Sequence, residues 1–132
     1  MQRTLLLSAF LAFFAGLAIA SGSWIQVSGG SWVVPAHLVA QLDKNLQAAA
    51  KDSQASKSSP KNLSLYVKQY RGRDGRNGRE VEVRGYCQTS GRFRKELMED
   101  FIHVLDGGDC YFQAIWDVNT SRFKHFNFNG VA

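Results

Sequence analysis

Four arginines lie close together in residues 71–79, which read Arg-Gly-Arg-Asp-Gly-Arg-Asn-Gly-Arg. A guanidinium group is planar and can hold a phosphate or a carboxylate through two parallel hydrogen bonds. We therefore predict that Arg71, Arg73, Arg76 and Arg79 bind a protein partner or an anionic macromolecule. The alternative is a solvated hairpin end whose charges only prevent edge-to-edge pairing of sheets. No aromatic residue lies between the arginines, which disfavours stacking on single-stranded nucleic acid.

Charge is segregated along the chain. Residues 57–95 carry 11 basic and 3 acidic side chains, residues 96–132 carry 2 basic and 6 acidic ones, and residues 21–56 are balanced. A concentrated positive region favours nucleic acid, lipid headgroups or an acidic protein as a partner.

Two tryptophans, Trp24 and Trp32, lie in a glycine- and serine-rich stretch, residues 21–34. Indoles are frequent at the energetic centres of protein interfaces, because they bury a large rigid surface and donate one hydrogen bond. We predict an extended N-terminal arm whose tryptophans either insert into a partner's groove or cover the core of the domain.

The sequence contains no set of residues that converges on a catalytic or metal site. His37, His103 and His125 are far apart, and two cysteines are too few for a four-ligand zinc site. Residues 106–109 offer two carboxylates, whereas calcium needs six or more oxygen ligands. Phosphate-loop, dinucleotide and nucleophile-elbow motifs are absent. We expect no catalytic residues, no metal and no cofactor.

The first residues predict export. Arg3 precedes an apolar run that ends in Ala-Ile-Ala at position 20, the small-x-small pattern that a signal peptidase cuts. An uncleaved anchor is the alternative. With a signal peptide over residues 1–20 removed, 15 basic and 11 acidic residues remain, a net charge of +4. No later stretch is long and apolar enough to span a bilayer, so we expect a periplasmic or secreted protein.

Cys87 and Cys110 are the two cysteines of the chain. An exported protein with an even number of cysteines usually pairs them. In a simple up-and-down meander the two would lie at opposite ends of the sheet, whereas bonded cysteines need Cα atoms within about 7 Å. Either the bond is absent, or a bend or changed register in residues 88–100 brings the ends together.

The pattern around these residues predicts one helix and several strands. Pro35 suits the first turn of a helix, and apolar residues recur every four positions from Leu38 to Ala50, which predicts an amphipathic helix of about four turns. Residues 51–61 lack periodicity and predict a flexible connection.

The remainder of the chain alternates with a period of two. Residues 62–67 and 81–87 predict a hairpin with a long basic tip, since Asp-Gly and Asn-Gly turn pairs lie between them. Residues 94–105 fit either a helix or a strand, and we favour a strand for residues 101–105. Residues 110–117 predict a half-buried strand, and residues 122–129 a last strand with a bulge near His125.

These elements predict an α+β fold, with one N-terminal helix packed on a curved antiparallel sheet of four to five strands. The single domain would cover residues 35–132. The order of elements resembles the cystatin-like and NTF2-like architectures, although the Gln-x-Val-x-Gly motif of cystatin inhibitors is absent and no site residue carries over. The stretch from residue 106 to residue 130 is similar to the tails of small exported bacterial proteins of unassigned activity.

We therefore expect an exported, non-enzymatic binding protein, in its concrete form an inhibitor or immunity factor for a cell-envelope enzyme. One alternative is a binder of polyanions, nucleic acid or lipid headgroups, through residues 71–79. Another is a small-molecule carrier or enzyme with an internal aromatic pocket beside Phe112 and Trp116.

Overall fold

The computed structural model describes residues 23–53, 62–87, 91–104 and 108–129. The predicted signal peptide and residues 54–61 of the predicted connection lie outside these ranges. The elements are β1 (Trp24–Gln26), α1 (Ala36–Asp52), β2 (Val67–Gly75), β3 (Gly78–Tyr86), α2 (Arg94–Glu99), β4 (Tyr111–Asp117) and β5 (Arg122–Phe128), with short 3-10 turns at Leu63–Leu65 and Gly108–Cys110. The predicted α+β fold is confirmed.

Helix α1 lies where the four-residue spacing placed it. Leu38, Leu42, Leu46 and Ala50 are buried and pack with residues of β3, β4 and β5 in the main hydrophobic core. Burying each leucine contributes about 1.5–3 kcal/mol. The helix therefore owes its position to one apolar stripe that covers one face of the sheet. Pro35 precedes the first helical residue as the N-cap.

The five strands form one open sheet in the order β1-β2-β3-β4-β5. Every neighbouring pair is antiparallel except β1 and β2, which are parallel. The prediction of a wholly antiparallel sheet is thus wrong at this pair. The reason is the connection, because the chain crosses from β1 to β2 through α1, as parallel neighbours require. The predicted arm accordingly supplies an edge strand of the sheet.

The second face of the sheet is only partly covered. Leu97 of α2 and Ile102 pack on Val67, Tyr86 and other residues of this face in a smaller core. The strand predicted for residues 101–105 is absent from residues 101–104, which have no regular structure; residue 105 lies outside the described ranges. Apolar side chains therefore anchor this segment on the sheet without joining it as a strand.

The placement of residues 91–104 explains the disulfide. Because residues 91–104 do not form an intervening strand, β3 and β4 are direct neighbours and Tyr86 pairs with Tyr111. Cys87 directly follows Tyr86, and Cys110 directly precedes Tyr111. The Cys87 amide donates to the Cys110 carbonyl at 2.9 Å, and the Cα atoms of the two cysteines are 4.9 Å apart. The predicted bond is confirmed, and the meander objection does not apply.

The strand predicted for residues 62–67 is wrong before Val67. Leu63–Leu65 form a 3-10 turn, in which the Asn62 side chain accepts a hydrogen bond from the Ser64 amide at 3.1 Å, and β2 begins only at Val67. The predicted bulge is confirmed: Trp116 pairs with Phe123 and Ile115 with His125, so β5 carries one extra residue there.

Candidate binding surfaces

The hairpin that carries the four arginines has a tight turn. Strands β2 and β3 remain paired up to Gly75 and Gly78, so the long basic tip predicted from the sequence is wrong. Only Arg76 and Asn77 lie between the strands. Gly78 has a φ of 138°, which few residues other than glycine adopt. The asparagine–glycine pair thus closes the turn, and the other arginines belong to strands.

Strand alternation separates the arginines onto two faces. Gly72 is paired with Val81, which belongs to the core beneath α1. Because successive side chains of a strand point to opposite faces, Arg71 and Arg73 lie on the face opposite α1. Arg79 lies on the α1 side.

The turn between β4 and β5 supports the hairpin. The Asn119 side-chain amide donates to the Asn77 carbonyl at 2.7 Å, and the Val118 amide donates to the Arg79 carbonyl at 3.1 Å. Asp117 accepts from the Asn119 backbone amide at 2.9 Å and stabilises this second turn. These bonds hold Arg76 and Arg79 in a defined position relative to the sheet.

Trp32 lies directly on strand β2. A Cβ atom at Gly72 would overlap the carbonyl oxygen and the indole ring of Trp32, so glycine is needed for this approach. The indole Nε1 donates to the Arg73 carbonyl at 3.0 Å, and the Arg79 guanidinium carbon lies 5.2 Å from the ring centroid. Trp32 and Arg79 thus form one half-exposed stack, and the neighbouring Val33 is 77% exposed.

Trp24 is held separately. Its Nε1 donates to Asp43 of α1 at 2.9 Å, its ring meets Tyr70 edge-on at 6.0 Å between centroids, and the Lys68 ammonium lies 5.3 Å from the ring. Of the two predicted roles for the tryptophans, these contacts favour a cover over the core. The two indoles have different hydrogen-bond partners, Asp43 for Trp24 and the Arg73 carbonyl for Trp32.

Paired charges cover the face opposite α1. Arg71 and Arg84 both approach Glu82, at 3.7 and 3.1 Å. Arg73 bonds Glu80 at 2.9 Å, and Lys124 of β5 bonds the other oxygen of the same carboxylate. Lys124 hydrogen bonding, helped by Arg73, lowers the pKa of Glu80, although burial acts in the opposite direction. Glu80 is therefore held as an ion inside a positively charged network.

A groove of about 360 Å³ lies beside this network on the same face. It is lined by residues of β2 to β5, namely Arg73, Glu82, Arg84, Gln113, Ala114, Ile115, His125 and Asn127. Phe101 lies next to it and is 5% exposed. The guanidinium carbons of Arg71 and Arg84 lie 4.8 and 4.9 Å from the centre of the Phe101 ring. The segment after α2 thereby borders the groove.

The aromatic residues expected around an internal pocket pack on one another. Phe112 stacks on Phe126 with ring centroids 5.0 Å apart, and Trp116 meets Phe123 edge-on at 4.9 Å. Phe112 and Trp116 are 0% and 1% exposed. These contacts make the aromatic group part of the main core.

The three histidines do not come together. His37, His103 and His125 are exposed and lie on α1, on the segment after α2 and on β5. Within the described ranges, no group of three or more histidine, cysteine, aspartate or glutamate side chains is arranged to hold a metal ion.

Sequence reasoning missed three polar residues with large structural roles. Lys68 and Gln69 are fully buried, although the chain shows them only as polar positions of a strand. The Lys68 ammonium donates to the Leu63 carbonyl at 3.2 Å, and burial lowers its pKa. Arg84 donates to Glu82 and to the Tyr111 hydroxyl, at 3.1 and 3.0 Å. No spacing signal could have revealed these partners, because each depends on which element covers the strand.

Among the described residues, no helix is both long and apolar enough to cross a membrane. No protein-family model, no curated protein and no solved structure matches this chain.

Proposed function

We propose that this protein is exported and acts as a non-enzymatic binding protein, whose hairpin end docks on an acidic protein partner. The hairpin end consists of Trp32, Val33, Arg76 and Arg79. The observation that carries the proposal is the stack of the Arg79 guanidinium on Trp32, at 5.2 Å, beside a valine that is 77% exposed. Tryptophan and arginine are the residue types that most often dominate binding energy.

Rigidity supports the same proposal. Trp32 is fixed by its hydrogen bond to the Arg73 carbonyl, and the neighbouring turn braces the hairpin through Asn119. A surface that is already ordered loses little conformational entropy when it binds. A cleft of about 160 Å³ between Gly72 and the backbone before Trp32 offers a place for a partner's side chain.

The concrete form that we propose is an inhibitor of, or an immunity factor against, a cell-envelope enzyme in the periplasm or outside the cell. The disulfide between Cys87 and Cys110 is compatible with such an oxidising compartment. A small, braced scaffold that presents one exposed stack is suited to blocking another protein's site.

The test has two steps. The purified protein is first cross-linked to proteins of an envelope extract, which identifies the partner. Fresh purified protein is then mixed with the isolated partner, and the affinity is measured. We expect the double variant Arg76→Glu, Arg79→Glu to bind the isolated partner at least tenfold more weakly by calorimetry, because it reverses both charges of the hairpin end, one of which stacks on Trp32. Arg73 is left unchanged, since a carboxylate there would face Glu80. The control is Arg92→Glu, Lys95→Glu, which makes the same charge change at two exposed positions near α2.

Unchanged affinity in the hairpin variant would remove the hairpin end from the mechanism. An inhibitor should also lower the activity of the isolated enzyme partner in proportion to complex formed. If the material recovered is nucleic acid or anionic lipid, and binding weakens steeply with salt, the polyanion alternative replaces this proposal. Arg71 and Arg73 argue against it here, because both are paired with glutamates on the other face.

A further inference from the structure

We infer a second binding site on the other face of the sheet: the groove over β3 to β5 takes a small molecule that carries an oxyanion, a carboxylate or a phosphate. The groove, of about 360 Å³, lies on the face opposite α1, whereas Trp32 and Arg79 lie on the α1 side. This inference does not depend on the proposed function. The volume of the groove falls in the lower range of small-molecule sites.

Strand register arranges the groove in two rows. Glu82 lies beside Ile115, which lies beside His125; in the next row Arg84 lies beside Gln113. Asn127 extends the second row on β5. One row thus provides an apolar floor between an acid and an imidazole, and the other is a line of hydrogen-bond donors.

Charge on this face points to an anionic ligand. Arg71, Arg73, Arg84 and Lys124 are ion-paired with only two carboxylates, Glu80 and Glu82, an excess of two positive charges within this network; Asp117, beside Glu80 in the sheet, is engaged by the Asn119 amide. Both carboxylates are already engaged, and their side chains are only 5% and 16% exposed. The face therefore has few negative groups to offer a ligand and an excess of positive ones.

Three side chains of the groove have donors without an acceptor among the described residues. Gln113, His125 and Asn127 are exposed, and their side chains make no hydrogen bond to any other residue within the described ranges. Amide and imidazole N–H groups donate to oxyanions. A ligand resting on Ile115 would have these donors on two sides.

The positive wall of the groove is held in place before any ligand arrives. Arg84 donates to Glu82 and to the Tyr111 hydroxyl, and its guanidinium lies against Phe101. Its Nε is buried without a partner among the described residues. Fixed donors of this kind favour binding, because their orientation costs nothing when the ligand enters.

The test is an NMR titration of the full purified protein with inorganic phosphate and, separately, with citrate, at ionic strength held constant with sodium chloride. We expect saturable shifts of the side-chain amide signals of Gln113 and Asn127. The variant Gln113→Glu, Asn127→Asp places carboxylates at two exposed donors and should weaken binding at least tenfold. The control Gln41→Glu, Asn45→Asp makes the same charge change on the exposed side of α1.

The outcomes distinguish a specific binding site from non-specific attraction of anions to a positively charged surface. Tenfold loss in the groove variant with an unchanged control supports the inference, and a preference for phosphate or citrate shows which oxyanion the groove favours. Shifts that never saturate, or equal weakening in groove variant and control, would overturn it. The hairpin variant Arg76→Glu, Arg79→Glu should leave citrate affinity unchanged, so the groove and the proposed function fail independently.

Discussion

Gln69 holds the segment after α2 onto the sheet, and its replacement by leucine is the sharpest test of the fold. Its side-chain NH₂ donates to the carbonyls of Leu97 and Asp100, both at 2.7 Å. Its oxygen accepts from the Ile102 amide at 3.0 Å and from the Tyr86 hydroxyl at 2.5 Å. One side chain thus satisfies backbone groups that a neighbouring strand would otherwise pair.

The expected cost follows from the groups left behind. In Gln69→Leu the Leu97 carbonyl and the Ile102 amide lose buried partners, and each unsatisfied buried group costs about 1–3 kcal/mol. The single proton of the Tyr86 hydroxyl still has its other acceptor, the Ile102 carbonyl at 3.2 Å. The apolar leucine offsets part of the loss. We expect the free energy of unfolding to fall by about 3 kcal/mol, a large share of the 5–15 kcal/mol typical of a domain.

The measurement is equilibrium unfolding in urea, followed by tryptophan fluorescence, with amide hydrogen exchange at Ile102 as a local readout. Gln41→Leu, at an exposed position of α1, is the control and should change stability by less than about 0.5 kcal/mol. If Gln69→Leu unfolds within about 1 kcal/mol of the wild type, or Ile102 exchanges no faster, the anchoring role is wrong.

Three further predictions concern stability. Replacing Cys87 and Cys110 by serine should lower stability by about 3 kcal/mol, because an open loop leaves the unfolded chain more freedom; an unchanged thermal midpoint would contradict this. Burial, with the charge of the Asp109 carboxylate, raises the pKa of Tyr66 to about 12. Since an unfolded tyrosine deprotonates near pH 10, the stability due to this pKa difference is complete below pH 10 and is lost between pH 10 and 12. Tyr66→Phe should show a shallower alkaline decline, and an identical slope would refute the assignment. The hydrogen bond from Lys124 lowers the pKa of Glu80 below its usual 4.5. The stability due to this pKa difference is therefore present above pH 4.5 and is lost as the pH falls through the lowered pKa. Lys124→Met should raise the Glu80 pKa in an NMR titration, and an unchanged pKa would rule out the pair.

Elements whose pattern reflects one buried face could be predicted from the sequence. The four-residue spacing of α1 and the alternation in β4 each depend on contact with a single core, and both were confirmed. The segment at residues 94–105 was harder, because Leu97, Phe101 and Ile102 suit a helix or a strand equally well. What decided its structure was a partner distant in the chain, the Gln69 amide.

The candidate site was predicted as a set of residues and not as an arrangement. Arg71, Arg73, Arg76 and Arg79 look alike in sequence because glycines, an aspartate and an asparagine separate them. Continuous pairing from Val67 to Gly75 imposes alternation, so Arg71 and Arg73 pair with different glutamates on one face and Arg79 lies on the other. Polar strands carry no hydrophobic pattern that marks their face, and for this reason the sequence suggested a loop.

The charged face raises the question of what the paired ions contribute. Glu80 is 4% exposed, and taking a carboxylate out of water costs several kcal/mol. The bonds from Lys124 and Arg73 more than offset this cost, since the pKa of Glu80 is lowered. The pairs have a second physical effect, orientation, because both cations are held over the sheet beside a groove whose remaining donors have no acceptor among the described residues. A surface evenly wetted by solvent needs no such bracing, whereas a surface that receives an anion benefits from it directly.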